Sequence, residues 1–316
     1  MTASVIATIV NSQYNTSLND DVVTSLRINV SHCTLDHVVD VVTALSKHQY
    51  LKRIYLDLQG PKLRLSKKQP KCDVLSSSTV PILASTNFVT NDGPCIVLDE
   101  REIEALTDSN VTHASIDDGK VLVEVSMSAM TAVVTRGGTL RPSKGINISP
   151  HPAVRTLTDK DLEVVRATCH FPFVAYALSF TRTADDITFL RQYAPTNFIA
   201  AKIELPLSLE ALEGLVPVVD EFWLCRGDLG SQLGLKQLAV YYKMFKDFAR
   251  KHSDVKEKFI MAGEVLDHMT DNLLPTRSEV CHLSDVLDNF GGIVLSNETA
   301  YGKNVNGIIA FLKSFL

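Results

Sequence analysis

Eight short runs rich in valine, isoleucine and aromatics, most of them followed by a stretch with helical spacing, restrict this chain to very few architectures. The runs fall at residues 5–10, 26–30, 54–58, 173–180, 198–203, 222–225, 259–262 and 293–295. Between them, apolar residues recur at three- and four-residue intervals over 35–45, 159–169, 185–193, 207–218 and 235–249, and again over 305–316. Continuous apolar strands alternating with amphipathic helices describe a parallel sheet covered by helices. Eight such units predict closure into a (β/α)8 TIM barrel, whose sites gather at the C-terminal ends of the strands.

The alternation breaks once. From about residue 67 to 143 the helical period gives way to short alternating stretches at 89–98, 121–125 and 132–136. Turn signals separate them: Asn91-Asp92-Gly93, Asp117-Asp118-Gly119 and Gly137-Gly138. The pattern predicts a small all-β domain inserted after the third strand. The expected division is a first barrel part at 1–66, the insertion at 67–143 and a second barrel part at 144–316. An insertion at that end of a barrel is expected to act as a lid.

Composition bounds the function. The chain has 316 residues, 45% hydrophobic and 21% charged, an ordinary globular balance. Its formal net charge of −5 argues against a nucleic-acid partner. The one basic cluster, Lys67, Lys68 and Lys71, reads as a solvated loop. No apolar run reaches the ~20 residues needed to cross a bilayer, and no signal peptide is visible, so no membrane partner is expected. The six cysteines are scattered without a C-x-x-C pair, which points to reduced thiols and a cytoplasmic location.

Polar and charged residues crowd the predicted C-terminal rim. Strand two brings Arg27 and Asn29, then Ser31 and His32; strand three brings Asp57, then Lys62 and Arg64. Strand four ends in Ser179 and Arg182, strand five in Lys202 and Glu204, strand six in Arg226, Gly227 and Asp228, strand seven in Glu264, and strand eight in Ser296 and Glu298. Buried charges are costly unless paired with one another or with ions. Glu204 and Asp228 on neighbouring strands suit a hard divalent cation. Lys202, two residues before Glu204, faces the same side and suits a developing enolate or a transferring phosphoryl group. Gly227 lets the backbone approach an anion, and a helix starting there would offer free N–H groups to a carboxylate. The bland alternative is a salt-bridge network at the barrel end; for Arg182 and Glu298 both readings stay open. His32 reads as a hydrogen-bonded scaffold residue rather than a base, and Cys225 as core packing.

At these residues the sequence resembles the pyruvate kinase family. The matching stretches are RINVSH at 27–32, DLQGPKLR at 57–64, SKGIN at 143–147, AKIE at 201–204, RGDLG at 226–230, PTRSEV at 275–280 and LSNETA at 295–300. They stand in the family's order and spacing across nearly the whole chain, and the β insertion corresponds to the family's lid. The resemblance implies transfer of a phosphoryl group from phosphoenolpyruvate to ADP, giving pyruvate and ATP. Lys202 would stabilise the enolate and the phosphoryl group, Arg27 would contact the phosphoryl group, and Ser296 would take part in protonating the enolate. Glu204 and Asp228 would bind magnesium or manganese, and the Gly227 and Asp228 amides would hold the substrate carboxylate. Arg64, Lys144 and His32 would face the nucleotide. Asn29, Ser31 and Asp57 fall where the family binds potassium, and Lys62 would replace that ion, so no potassium requirement is expected. The family's C-terminal regulatory domain has no counterpart here, which implies no allosteric control and a monomer or homodimer.

The chain also departs from the family. The family's Ala-Thr-Gln after strand seven is Ala262-Gly263-Glu264, so Gly263 stands where a threonine lies against the substrate. Its Gly-Pro after strand one is Val10-Asn11, in a region bordering the nucleotide. The start of the lid, 66–78, matches poorly. These departures leave two alternatives: an oxo-acid lyase or decarboxylase, and a non-catalytic binding protein.

Overall fold

A computed structural model describes residues 3–47, 52–89, 93–117, 119–152 and 156–316. Eight parallel strands close a barrel: β1 (Ser4–Ile9), β2 (Ser25–Asn29), β3 (Arg53–Asp57), β4 (Val174–Leu178), β5 (Phe198–Ile203), β6 (Glu221–Cys225), β7 (Phe259–Ala262) and β8 (Gly292–Leu295). Neighbours around the ring follow chain order, with β8 pairing back onto β1. Each strand is where an apolar run was expected, because strands covered on both faces must be apolar throughout. Small and large side chains share the barrel interior. Ala175, Ala177, Ala200 and Ala262 fill it alongside the larger Tyr55, Trp223 and Ile260.

The chain divides into two compact units, one of Met1–Pro61, Arg155–Arg226 and Ala239–Leu316, the other of Lys62–Val154 and Gly227–Leu238. In the first, the covering helices form where apolar spacing and caps agree. Leu35–Leu45 buries Val38, Val41, Val42 and Leu45 and starts at Thr34, whose hydroxyl accepts from the His37 amide at 3.3 Å. Asp159–Thr168 and Arg277–Asn289 both open on capping boxes, Thr158/Asp161 and Thr276/Glu279. The helix Leu235–Lys251 turns Tyr241, Phe245 and Phe248 inward, and Phe248 meets Phe222 and Phe259 edge-on. Aromatic contacts of this geometry add about 1 kcal/mol each beyond the area they bury.

Asp161 has a second task besides capping. Its carboxylate accepts the amides of Gln59 at 2.7 Å and Gly60 at 3.1 Å, the residues by which the chain leaves β3. The residue is fully buried, and these bonds, with those to Thr158, satisfy it.

The second unit holds a seven-stranded sheet in the order Leu63–Arg64, Gly145–Asn147, His113–Ile116, Val121–Ser126, Thr131–Arg136, Thr79–Ala84 and Ile96–Leu98. Its pairs are antiparallel except the last. Cys72–Val74 and Gly138–Leu140 form a separate pair. The stretches expected at 121–125 and 132–136 are strands; of 89–98 only Ile96–Leu98 is, and 90–92 lie outside the described residues. The turn at Asp117 and Gly119 has positive φ at both, as its sequence suggests, while Asp118 also lies outside them. One element was not anticipated. Glu100–Asp108 is a helix, short and charge-rich, that packs Ala105 and Leu106 onto the sheet.

All six cysteines are free. No helix among the described residues is long and apolar enough to cross a membrane.

Candidate active site

Lys202 organises the C-terminal end of the barrel. On β5 the alternation Phe198, Ala200, Lys202 points into the barrel, so the lysine is the last inward residue of its strand. Its ammonium lies 2.8 Å from Asp57 Oδ1 and 2.9 Å from Glu204 Oε1, and donates to Ser179 Oγ at 2.8 Å. Asp57, at the end of β3, also receives Arg27 of β2 through Nε at 2.8 Å and Nη2 at 2.5 Å. Arg27 Nη1 donates in turn to Thr8 Oγ1 at 2.8 Å, and Thr8 donates to the Leu295 carbonyl at 2.7 Å. Residues from β1, β2, β3, β5 and β8 are thus linked through one polar cluster.

The electrostatics balance. Arg27 and Lys202 face Asp57 and Glu204, two cations against two carboxylates, all buried or half-buried. Burial would push the Asp57 carboxyl up, but Lys202 and Arg27 outweigh it and hold it below the usual carboxylate range. Burial likewise opposes the charge on Lys202, yet Asp57 and Glu204 raise its pKa above the ordinary lysine value. The lysine therefore stays charged at neutral pH. Glu204 is fixed further by the Phe180 amide at 2.8 Å, from a turn in which Phe180 adopts a positive φ of 56°. Cys225 lies beneath the cluster with its thiol pushed up by burial, a packing residue as expected.

A cavity of about 280 Å3 opens beside Arg27 at the ends of β1, β2 and β8. Thr8, Arg27, Asn29, His32, Ser296 and Tyr301 line it, with the backbone turn at Val10. Asn29 Oδ1 accepts the Ser31 amide at 3.1 Å, which orders the turn after β2. The Ser296 amide donates to Glu298 Oε2 at 2.6 Å, and the Leu266 amide donates to Glu298 Oε1 at 3.1 Å. Glu298 is fully buried, and its carboxylate therefore ties the turn after β7 to the turn after β8. Gly263 and Glu264 follow β7 with φ of 87° and 53°.

The other expected site residues lie in the second unit. Lys62 pairs with Asp228 at 2.6 Å, so its ammonium neutralises that carboxylate. Gly227 and Asp228 occupy the first turn of the helix Arg226–Leu233, where backbone N–H groups have no intrahelical acceptor. Arg64 Nη1 donates to the Ser143 carbonyl at 3.0 Å, and Lys144 pairs with Asp117 at 2.9 Å.

A family model described as "Pyruvate kinase, barrel domain" matches residues 3–306. The chain belongs to the pyruvate kinase family. Proteins named pyruvate kinase resemble it at 29% identity in Thermococcus litoralis, over 88% of this chain and 60% of the relative. The figures are 30% in Corynebacterium efficiens, over 81% and 55%, and 32% in Buchnera aphidicola, over 78% and 53%. The chain spans little more than half the length of the relatives it matches.

The charges at this rim stood out in the sequence, but several of the residues that hold them did not. Thr8 was hidden inside an apolar run; a polar residue at the last inward positions of a barrel strand was the available signal. Asp161 was missed because it reads as a helix cap, which it also is. Gly60 shows how tightly the cluster is built. Its φ is 61°, and a Cβ there would stand 2.7 Å from Ser179 Cβ. Gly60→Ala is expected to destabilise the protein by about 2 kcal/mol, combining backbone strain with overpacking. Urea denaturation checks this; an unchanged midpoint would mean that Ser179 yields freely.

Proposed function

We propose that this pyruvate kinase family member transfers a phosphoryl group from phosphoenolpyruvate to ADP, yielding pyruvate and ATP. The observation that carries the proposal is the charged Lys202, fixed between Asp57 and Glu204 at the same barrel end as Arg27. A preorganised ammonium and guanidinium stabilise charge that develops on the phosphoryl and enolate oxygens without reorganising at the moment of reaction. In this scheme Arg27 and Lys202 bind the phosphoryl group, and Ser296 orients the proton donor. The Gly227 and Asp228 amides and Gly263 contact the rest of the substrate. Arg64, Lys144 and His32 contact the nucleotide.

The donor chemistry fits magnesium. Among the described residues no group of three His, Cys, Asp or Glu forms a metal cluster. The chain would supply two carboxylates, Glu204 and Asp228, leaving the other positions to water and substrate oxygens, as magnesium prefers. When bound, the ion neutralises charge on the phosphoryl and enolate oxygens. Lys202 pairs with Glu204 and Lys62 with Asp228. We further propose that no potassium is needed at Asn29, Ser31 and Asp57, because Arg27 and Lys202 already balance Asp57, whereas Lys62 is engaged by Asp228.

A coupled assay with purified protein, phosphoenolpyruvate, ADP and magnesium tests the proposal. Pyruvate formation that needs magnesium and is unchanged by potassium is expected; no pyruvate at high enzyme concentration overturns it. The departures at Gly263 and Glu264 motivate one competing function, an oxo-acid lyase or decarboxylase. Metal-dependent oxaloacetate decarboxylation exceeding phosphoryl transfer would establish that alternative.

A further inference from the structure

We infer that His282 is a positioning residue that holds Arg226 on the carbonyl oxygens of Gly263 and Glu264, setting the turn after β7 through its own protonation state. The turn needs holding. Glu264 is not a glycine, and a side chain at positive φ costs on the order of 1–2 kcal/mol. Two successive left-handed residues also rotate their carbonyls away from the strand ladder. Arg226, the first residue after β6, meets both. Its Nε donates to Gly263 O at 3.0 Å, and its Nη2 donates to Gly263 O and to Glu264 O, the latter at 2.9 Å.

The remaining nitrogen of the fork, Nη1, lies 2.6 Å from His282 Nε2. A guanidinium has donors only, so Nε2 must present its lone pair and the ring proton must sit on Nδ1. Protonating Nε2 would set N–H against N–H and cation against cation. The other groups facing His282 do not relieve this. Tyr242, from the helix Leu235–Lys251, packs its ring at 5.8 Å. Asp285, on the same helix as His282, is engaged by the Tyr242 hydroxyl at 2.6 Å and by Lys246 at 3.1 Å. Burial and Arg226, aided by Lys246 and opposed by Asp285, hold the imidazole below its usual pKa. Glu264, Tyr242 and Glu298 also act electrostatically on Arg226, favouring its charge. At neutral pH the neutral ring therefore locks the fork, and acid releases it.

The link from His282 to the turn stands on this geometry alone; its effect on turnover rests on the reaction proposed above, in which Gly263 contacts substrate. Nitrogen-15 NMR of labelled histidine gives the tautomer, and hydrogen–deuterium exchange at the amides of 263–266, corrected for intrinsic rates, gives the state of the turn. In the intact protein His282 should show the Nδ1–H form near neutrality. Exchange should rise roughly tenfold on going to about pH 5, the effect of one lost charge-assisted bond. His282→Gln, whose amide oxygen accepts from Arg226 without titrating, should stay protected at both pH values. His282→Leu should exchange fast at both. An Nε2–H tautomer, or a glutamine variant that loosens in acid as the native protein does, overturns the inference. In the coupled assay the native protein should lose kcat/KM on the acid side where the glutamine variant does not. Absence of any turnover would count against the proposed reaction, while the tautomer and exchange readings would still decide the role of His282.

Discussion

Replacing Lys202 by methionine should lower phosphoryl transfer by on the order of 10³-fold or more and destabilise the protein by roughly 3–5 kcal/mol. The two losses have different causes. Activity falls because the preorganised ammonium is gone from the place where charge develops. Stability falls because Asp57 and Glu204 lie 2.8 and 2.9 Å from the lysine and only Arg27, on Asp57, remains to balance them, so one buried carboxylate is left uncompensated. A double variant separates them. Lys202→Met with Glu204→Gln removes one cation and one anion together, so it should recover much of the stability and none of the activity. Urea denaturation and the coupled assay read the two quantities independently. A single variant as stable as the native protein would show that Lys202 is not needed to balance the cluster. A double variant that regained turnover would remove Lys202 from the chemistry.

The opposite end of the barrel should make stability fall with rising pH. Glu221, the first residue of β6, is buried and accepts the Tyr55 hydroxyl at 2.8 Å and the Trp223 indole N–H at 2.9 Å. Burial pushes its carboxyl up to about 7, against the lowering effect of those two bonds and of Arg53. The folded state therefore holds this proton more tightly than the unfolded chain does. The resulting stability is fully present below the unfolded value near 4.5 and is lost as pH rises through about 7. By pH 8 the loss amounts to about 3 kcal/mol. Glu221→Gln keeps the acceptor oxygen and removes the titration. The difference in unfolding free energy between variant and native protein should accordingly be small at pH 5 and favour the variant by about 3 kcal/mol at pH 8. Parallel curves for the two proteins across that range would show that Glu221 ionises normally.

The barrel was legible because its strands obey a simple demand. A parallel strand covered on both faces must be apolar, and the eight observed strands depart from the eight runs by no more than two residues at any end. The insertion was less legible. Strands such as Cys72–Val74 and Leu63–Arg64 are two or three residues long and take their conformation from their partners. The helix Glu100–Asp108 offers only a narrow apolar stripe between charges, so its period was masked. At the rim, Lys202, Glu204, Asp57 and Arg27 announced themselves as charges at strand ends. What held them did not. Thr8 matters because it bridges Arg27 and Leu295, Glu221 because Tyr55 and Trp223 reach it, and His282 because Arg226 does. Apart from Trp223, two residues from Glu221, these partners are remote in the sequence, and no local pattern marks them.

Asp161 holds Gln59 and Gly60 from the first turn of the helix that follows the insertion. One carboxylate therefore fastens the place where the chain departs from β3 to the place where the barrel resumes. Because closing a longer loop between fixed ends costs only slowly increasing entropy, whatever is spliced between these two points places little demand on the barrel. The third crossover can thus be regarded as a socket. As far as the barrel's own fold is concerned, its contents are free to be lengthened, trimmed or exchanged in the course of descent, so long as Asp161 and the two amides it grips are kept.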